Sequence, residues 1–361
     1  MFSYLLQCRS LFSSRFAMEM ANQQKLYRVG FEEIHKVWSD ISYRPAFAFV
    51  NRIAAAGVPV FGTSGSLPEH LLSGIYEVTS IIWKVIRMPS NRKELVYSVR
   101  EVPKGQPLRN AVSAYWDSVE TSYRPEDRCL VFCRTVDEAK QLGELIGVHA
   151  YHRECEDNEP VQQLLTGTQK ILPTTLKLGC GFHYPHIRDV IHLDLAYSIT
   201  DQYQEDSRGG RDGSPCRAIT FVQEGRHRPQ SDAIHDLGAD AVYEWATKKD
   251  QCYRIGPSLF LDNVAVTCLL IPGALLCAYC EVQCSTPAPM IPRRLPTRPL
   301  ARPTTVSNQN GNRSSTTVAS FTPASMSMVM KRRIESQTPL PSKRMRMDSG
   351  QEPNSHGDIY G

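Results

Sequence analysis

The stretch CLVFCRTVDEAKQLGELIG, residues 129–147, decides the fold class of this 361-residue chain. It opens on a continuous apolar run with β-branched and aromatic residues, which is typical of a strand buried on both faces. The residues that follow are apolar at helical spacing, and Gly147 suits the carboxyl end of a helix. The stretch therefore predicts a buried strand that runs directly into a helix.

Similar units follow along the chain. We predict further strands within KILPTT (170–175), DVIHLDLA (189–196) and AITFV (218–222), and a helix that begins after Ser198 as its N-cap. Alternating strands and helices imply a largely parallel sheet with helices on both faces. Ligands of such sheets bind at the carboxyl ends of the strands, where the connecting loops gather. We expect the stretch QYQEDSRGGRDG, residues 202–213, to lie in one of these loops or just beyond, with its arginines facing a ligand cleft.

Charge and composition divide the chain into two parts. Residues 285–361 carry eleven Lys/Arg against four Asp/Glu and contain ten of the 24 prolines, whereas residues 1–284 have a small acidic excess. The tail lacks apolar periodicity, so we expect it to be disordered. Its basic clusters at 331–333 and 343–346 resemble a bipartite nuclear-import signal, and the alternative is a solvated basic tail. The expectation is a nuclear protein whose partners include an import receptor.

Possible targeting segments and the cysteine content bear on the cellular compartment of the protein. The longest apolar run, LLIPGALLCAY (269–279), is too short to span a bilayer, so no membrane partner is expected. The first eighteen residues contain two arginines, several serines and no acid, as in a mitochondrial presequence. The alternative that we favour is a domain whose true beginning is missing. Eleven cysteines without a secretory signal indicate reduced thiols or metal ligands.

One long stretch and several short ones carry a family resemblance. Residues 171–213, with Thr175, a Gly-Cys-Gly turn at 179–181, a VIH-x-DL strand, Gln204 and a closing GRDG, are similar to the fifth and sixth conserved motifs of RecQ-type DNA helicases, which belong to superfamily 2. LVFCRT ahead of them resembles the fourth motif, RVGFEEIH (28–35) the Asp-Glu-x-His motif, and TSGSLP (63–68) the Thr-Ala-Thr motif. KVWSDISYRPAF resembles a shortened aromatic-rich loop. The resemblance covers residues 20–285.

The resemblance implies an α/β architecture of four parts. These are a partial first RecA-like lobe (1–85), a complete second RecA-like lobe built on a parallel sheet flanked by helices (86–230), a helical zinc-binding module (231–284) and the disordered tail (285–361).

The resemblance also implies an ATP site with Mg²⁺ between the lobes. Glu33 would position the attacking water, Glu32 would hold Mg²⁺, and Arg208 and Arg211 would reach across as arginine fingers. The nucleotide-binding residues implied in addition are Gln204, Gly179 and Gly181. The alternative for the arginines is that one pairs with Asp206 or Asp212 and only ties down the turn.

DNA, single-stranded or partly duplex, is the partner that the resemblance implies. The DNA-contacting residues would be His35, Trp38, Tyr43, Arg44, Thr175 and Arg188. Aromatic side chains at this spacing can equally belong to a core, and a lone histidine can be structural.

Four cysteines form a candidate metal site. Cys252, Cys268, Cys277 and Cys280 are spaced as C-x15-C-x8-C-x2-C, with Arg254 shortly after the first. Four thiolates would make a closed, structural Zn²⁺ site. Cys284 could replace one of the four, and the alternative is a set of buried reduced thiols.

Two function hypotheses follow. The first is a RecQ-like ATP-dependent 3′-to-5′ DNA helicase that this chain represents incompletely. The second is a nuclear nucleic-acid-binding or regulatory fragment of helicase descent that hydrolyses nothing. No Gly-Lys-Ser or Gly-Lys-Thr occurs in the 361 residues, so the usual loop for the β- and γ-phosphates is absent from them. Glu32 replaces the usual Asp, His183 stands where the fifth motif usually has Asp, and Gly65 alters the Thr-Ala-Thr motif.

Overall fold

The structure is a computed structural model that describes residues 2–6, 19–39, 57–178, 182–226 and 237–285. Tyr43, Arg44, Gly179 and Gly181 lie outside the described residues, as does the tail from 286 onward. The predictions for these residues therefore stay predictions.

A small parallel sheet forms the first part of the molecule. It contains β1 (Phe2–Leu6), β2 (Leu26–Glu32) and β3 (Val60–Thr63), in that order. Helices α1 (Lys36–Ser39) and α2 (Leu72–Thr79) follow β2 and β3, and they contact each other. Trp38 packs so closely on Gly74 that a Cβ there would come within 2.5 Å of its ring. Trp38 is therefore part of the packing of this sheet.

A larger parallel sheet forms the second part. Its strands are β4 (Leu95–Val102), β5 (Arg128–Cys133), β6 (Ile171–Thr174), β7 (Ile187–Leu193) and β8 (Cys216–Gln223). The order across the sheet is β4-β8-β7-β5-β6, and every pairing is parallel. All six residues of β5 are buried, because both faces of the sheet are covered. The predicted parallel sheet is confirmed.

Helices cover both faces of the larger sheet. The buried residues of α3 (Leu108–Val119) and α4 (Val136–Ile146) belong to one apolar core. Helices α5 (Glu159–Thr166), α6 (Ile199–Asp206) and α7 (Ala239–Thr247) contribute Leu164, Ile199 and Trp245, among others, to the core on the other face. The predicted α/β class is therefore confirmed. Thr135 and Glu138 form a capping box at the start of α4, and Gly147, at φ 72°, ends it.

The cysteine-containing segment packs on the larger sheet. It carries α8 (Ile255–Asp262) and α9 (Ala278–Ser285), and Cys252 shares a core with Leu95 of β4. Helix α7 precedes this segment and contacts α8. Helix α7 buries Trp245, whose Nε1 donates to the carbonyl of Tyr253 at 2.8 Å.

The prediction that residues 202–213 lie at the carboxyl ends of the strands is wrong for residues 207–213, here called the arginine loop. The Gly210 N–H donates to the carbonyl of Ile187, the first residue of β7, and the chain enters β8 at Cys216. The reason is that α6 runs back along the sheet before the arginine loop begins. The arginine loop therefore lies at the amino ends of the strands.

The described part of the chain contains no helix that is both long enough and apolar enough to cross a membrane.

Candidate nucleotide site between the two sheets

A cleft of about 470 Å³ separates the ends of the small sheet from α6 and the arginine loop. The side chains that matter for its chemistry are Glu32, Glu33 and Ser64 on one side and Gln204, Arg208 and Arg211 on the other. The structure thus brings together the acidic pair and the arginine pair, which are far apart in sequence.

The acidic side is built from the carboxyl ends of β2 and β3. Glu32 is the last residue of β2, and Glu33 follows at φ 53°, a left-handed conformation that is uncommon outside glycine. The Glu33 carboxylate accepts a hydrogen bond from Ser64 Oγ at 3.3 Å and lies 3.3 Å from His35 Nδ1. Burial raises the pKa of Glu33, although the hydrogen bond from Ser64 and the charges of Lys36 and Arg208 oppose that shift.

A polar network crosses the cleft through Gln204 of α6. Its Nε2 donates to Ser66 Oγ at 2.7 Å and to the Glu33 carboxylate at 3.4 Å, and it lies 3.4 Å from His35 Nε2. The other ring nitrogen of His35 is 2.7 Å from Ser64 Oγ. Because one amide contacts three residues of the opposite side, the two sides of the cleft are linked by hydrogen bonds.

The arginine pair sits in a positively charged setting. Arg211 Nη1 donates to the carbonyl of Phe182 at 3.1 Å and lies 3.2 Å from His183 Nδ1. Burial and the neighbouring charges of Arg208 and Arg92 lower the pKa of Arg211. An anion in the cleft would relieve this repulsion, so the arrangement suits a phosphate.

The alternative role for the arginines is pairing with Asp206 or Asp212. The described contacts of these two aspartates do not favour it. Asp212 accepts from Arg188 Nη1 at 3.1 Å and lies 3.0 Å from His186 Nδ1. The hydrogen bond from Arg188 lowers the pKa of Asp212. Asp206 lies 2.9 Å from His192 Nε2 in the core.

The predicted DNA-contacting residues that the structure describes are not gathered in one place. Thr175 follows the carboxyl end of β6, where its N–H donates to Tyr151 at 3.2 Å. Arg188 lies at the amino end of β7, and its Nε binds Asp127 at 2.9 Å. His35 is buried beside the cleft, as described above. Among the described residues of this set, Thr175 is the one that lies at the carboxyl edge of the larger sheet.

Four sulfur atoms meet in the segment after α7. The Sγ atoms of Cys252, Cys268, Cys277 and Cys280 all lie within 4.8 Å of one another. Cys252 Sγ is 3.6 Å from that of Cys268 and 3.7 Å from that of Cys277. A tetrahedral Zn²⁺ site with Zn–S bonds of about 2.3 Å requires S···S distances of about 3.8 Å. The four cysteines therefore fit Zn²⁺, whereas Cys284 is exposed and outside the group.

Ser64, Ser66 and Arg92 act on the polar and charged groups of the cleft, but the sequence analysis assigned them no roles. Ser64 and Ser66 lie within TSGSLP and alternate in sequence, which could have indicated that both face the same side. Arg92, whose charge acts on Arg211, lies in no motif that we identified.

Comparison with known proteins agrees with this architecture. Residues 111–213 match the family described as "Helicase conserved C-terminal domain". The ATP-dependent DNA helicase Q-like 2 of Arabidopsis thaliana is 26% identical over 264 residues, which are 67% of this chain and 37% of that protein. The RecQ-like DNA helicase BLM of Xenopus laevis is 27% identical over 228 residues, 58% of this chain and 16% of that protein.

These matches have a limited extent. The chain spans less than half the length of the curated relatives described here. Among solved structures, the DEAD-box helicase Mss116 bound to ssRNA and UDP-BeF has a TM-score of 0.50 at 11% identity, covering 62% of this chain and 53% of that one. This likeness shows the fold alone. The chain is thus similar to RecQ-type DNA helicases, and its residues 111–213 match the helicase conserved C-terminal domain.

Proposed function

We propose that the cleft between the two sheets is the ATP site of a RecQ-like DNA helicase, which uses ATP hydrolysis to unwind DNA in the 3′-to-5′ direction. The observation that carries the proposal is that Arg208 and Arg211 line the same cleft as Glu32 and Glu33. The direction of unwinding rests on the family resemblance alone.

The two sides would act on different parts of the reaction. Negative charge spreads over the γ-phosphate as its bond to ADP breaks, and Arg208 and Arg211 would donate hydrogen bonds to that charge. Glu33, once ionised, would accept a hydrogen bond from the attacking water. Glu32 would hold Mg²⁺ through the water molecules of the ion, and Mg²⁺ would neutralise phosphate oxygens when bound.

Closure of the cleft would link the nucleotide to DNA. Gln204 already contacts Ser66, Glu33 and His35 across the cleft, so a phosphate that draws the sides together would act on this network. We assign DNA binding to the carboxyl edge of the larger sheet, where Thr175 lies. We assign nucleotide binding to Gly179 and Gly181. Zn²⁺ at the four cysteines would be structural, because four protein ligands leave no open position.

A second candidate is a nuclear regulatory or nucleic-acid-binding protein that does not hydrolyse ATP. The observation that favours it is the lack of Gly-Lys-Ser or Gly-Lys-Thr in the 361 residues, since that loop supplies the backbone N–H groups and the lysine for the β- and γ-phosphates. The basic clusters at 331–333 and 343–346 would then bind an import receptor.

ATP hydrolysis by the full chain, with and without single-stranded DNA, separates the two candidates. Turnover above background that is lost in Arg211→Ala would support the helicase. ATP binding without turnover, weakened by the same substitution, would support the regulatory protein. ATP binding that does not depend on Arg211 would show that the cleft is not the nucleotide site. Arg124→Ala, at an exposed arginine outside the cleft, is the matched control.

A further inference from the structure

Arg92 holds the arginine loop through its backbone. Its Nη1 donates to the carbonyl of Ser207 at 3.0 Å, and its Nη2 donates to those of Gly209 and Gly210, each at 3.1 Å. Ser207 and Gly209 flank Arg208 in the chain, and Gly210 directly precedes Arg211. A planar guanidinium can bind several carbonyls at fixed angles, which an ammonium group on a flexible stem cannot do. The position of Arg92 therefore determines where the arginine pair points.

The arginine loop needs such a partner. Helix α6 ends at Asp206, and the last carbonyls of a helix and those just beyond it have no partners within the helix. A cation at this end is also favoured by the helix dipole. Gly210 has φ 59°, and a Cβ at Gly209 would come within 2.1 Å of Cys216 Sγ, so the path of the loop is tightly constrained. Arg92 supplies the missing donors from a distant segment.

The backbone of Arg92 is held in turn by Arg254. The Arg254 side chain is fully buried, and its Nη1 donates to the carbonyl of Arg92 at 2.6 Å. Its Nη2 donates to the carbonyl of Leu95 at 2.6 Å. Its Nε donates to Cys268 Sγ at 3.3 Å. One buried side chain thus connects the four-cysteine group to the segment that carries Arg92.

The charge of Arg254 makes this connection depend on the state of the cysteines. A buried guanidinium is costly unless a negative charge lies nearby. Among the described residues, the hydrogen-bond partners of Arg254 are backbone carbonyls and Cys268 Sγ. Four thiolates around a divalent ion carry a net negative charge, which would balance Arg254. A bound ion would also fix the position of Cys268 Sγ, which accepts from Arg254 Nε.

We propose that Arg92 and Arg254 form a relay through which metal occupancy of the four-cysteine group sets the position of the arginine loop. Arg92 is a positioning residue: it acts on the arginine pair through the backbone of the loop. Metal loss releases Cys268 Sγ, which accepts from Arg254 Nε, and so loosens Arg254, the backbone of residues 92–95 and the arginine loop. The relay itself is independent of the ATP assignment, and only its nucleotide readout rests on the proposed function.

Backbone hydrogen exchange of the full chain tests the relay without any nucleotide. Removing Zn²⁺ with a chelator is expected to speed exchange in residues 207–214 by about tenfold, while β5 in the centre of the larger sheet stays protected. Arg92→Lys, with Zn²⁺ retained, is expected to give the same change. Chelation of the Arg92→Lys protein is expected to add nothing further in residues 207–214, because both changes break one path.

Arg87→Lys is the matched control. Arg87 lies five residues earlier and also donates to carbonyls, those of Leu67 and Leu261, but not to the arginine loop. Its substitution is expected to leave exchange in residues 207–214 unchanged. The relay is wrong if chelation leaves that exchange unchanged, or if Arg92→Lys does so. It is also wrong if chelation removes protection throughout the chain, β5 included, because a relay predicts a local change.

A second readout separates positioning from general stability. Coupling between two sites is reciprocal, so bound MgATP is expected to slow the release of Zn²⁺ to a chelator several-fold in the unmodified chain and not in Arg92→Lys. Equal slowing in both proteins contradicts the relay. If calorimetry with the unmodified chain shows that ATP does not bind, the proposed function fails, and the exchange experiment still decides the relay.

Discussion

The two sides of the cleft hold their charged groups in different ways. On the side of the small sheet, Glu33 at a strand end accepts side-chain hydrogen bonds from Ser64 and, across the cleft, from Gln204. On the side of the larger sheet, Arg208 and Arg211 are carried by a loop whose backbone is bound by Arg92. Glu33 is therefore held directly, by hydrogen bonds to its own carboxylate. The arginine pair is held indirectly by Arg92, which binds the backbone of the loop that carries the pair.

Arg211→Ala is expected to have the largest effect. In the proposed ATP site Arg211 would bind the γ-phosphate, so its removal should weaken ATP binding by about 2 kcal/mol, the cost of a charged hydrogen bond, and leave ADP binding nearly unchanged. Calorimetric titration with each nucleotide measures this. Equal losses for ATP and ADP would mean that Arg211 does not meet the terminal phosphate.

Glu33→Gln should act in the opposite direction on binding. Replacing a carboxylate by a neutral amide removes repulsion from the phosphates, so ATP should bind a few-fold more tightly while any turnover is lost. Tighter binding by Arg211→Ala and weaker binding by Glu33→Gln would reverse the roles that we assign to the two sides.

The same substitution has a consequence for stability. Because burial raises the pKa of Glu33 above 4.5, the folded state binds the proton more tightly than the unfolded chain does. The carboxyl therefore reduces stability as the pH rises from 4.5 through its raised pKa. We expect Glu33→Gln to be more resistant to urea than the unmodified chain at pH 7, with the difference vanishing below pH 4. A variant that is less stable at pH 7 would contradict this.

Gln204→Ala should weaken the link between the two sides by about 1 kcal/mol, because it removes the amide that donates to Ser66 and Glu33. Small-angle scattering with and without ATP measures closure of the cleft. Gln223→Ala, whose amide donates to carbonyls of residues 102 and 103 at the edge of the larger sheet, is the control. Closure that is equal in both variants would remove Gln204 from the mechanism.

Asp212→Asn is expected to have the smallest effect. The pKa of Asp212 is lowered by its hydrogen bond from Arg188, so the pair stabilises the fold above pH 3.8 and the gain is lost as the pH falls through the lowered pKa. We expect a loss of less than about 1 kcal/mol at pH 7, since the pair lies near the surface. Chemical unfolding at pH 7 measures it. A loss of several kcal/mol would mean that this pair anchors the arginine loop more strongly than Arg92 does.

The larger sheet could largely be predicted from the sequence because its signals are local. The apolar run of β5, the capping residues of α4 and Ser198 at the start of α6 each lie next to the element that they specify. The meeting of Arg208 and Arg211 with Glu32 and Glu33 came from motif resemblance. The end of the sheet at which the arginine loop lies was predicted wrongly, because the return path of α6 was overlooked.

The remaining features depend on contacts between distant segments. Nothing in the residues around Arg92 shows that its partners are carbonyls more than a hundred positions later, and burial of Trp245 depends on Tyr253 and on the sheet below it. The four cysteines are an intermediate case, because ligand type and spacing indicated the group while its packing on β4 required the structure.

A crystal structure of the full chain with Mg²⁺, ADP and beryllofluoride tests the central claim most directly, since the fluoride group takes the place of the γ-phosphate. We predict that this group lies within hydrogen-bonding distance of Arg208 and Arg211, on the side of the cleft that faces Glu33. A nucleotide bound elsewhere, or a fluoride group in the cleft with both arginines turned away from it, would contradict the claim.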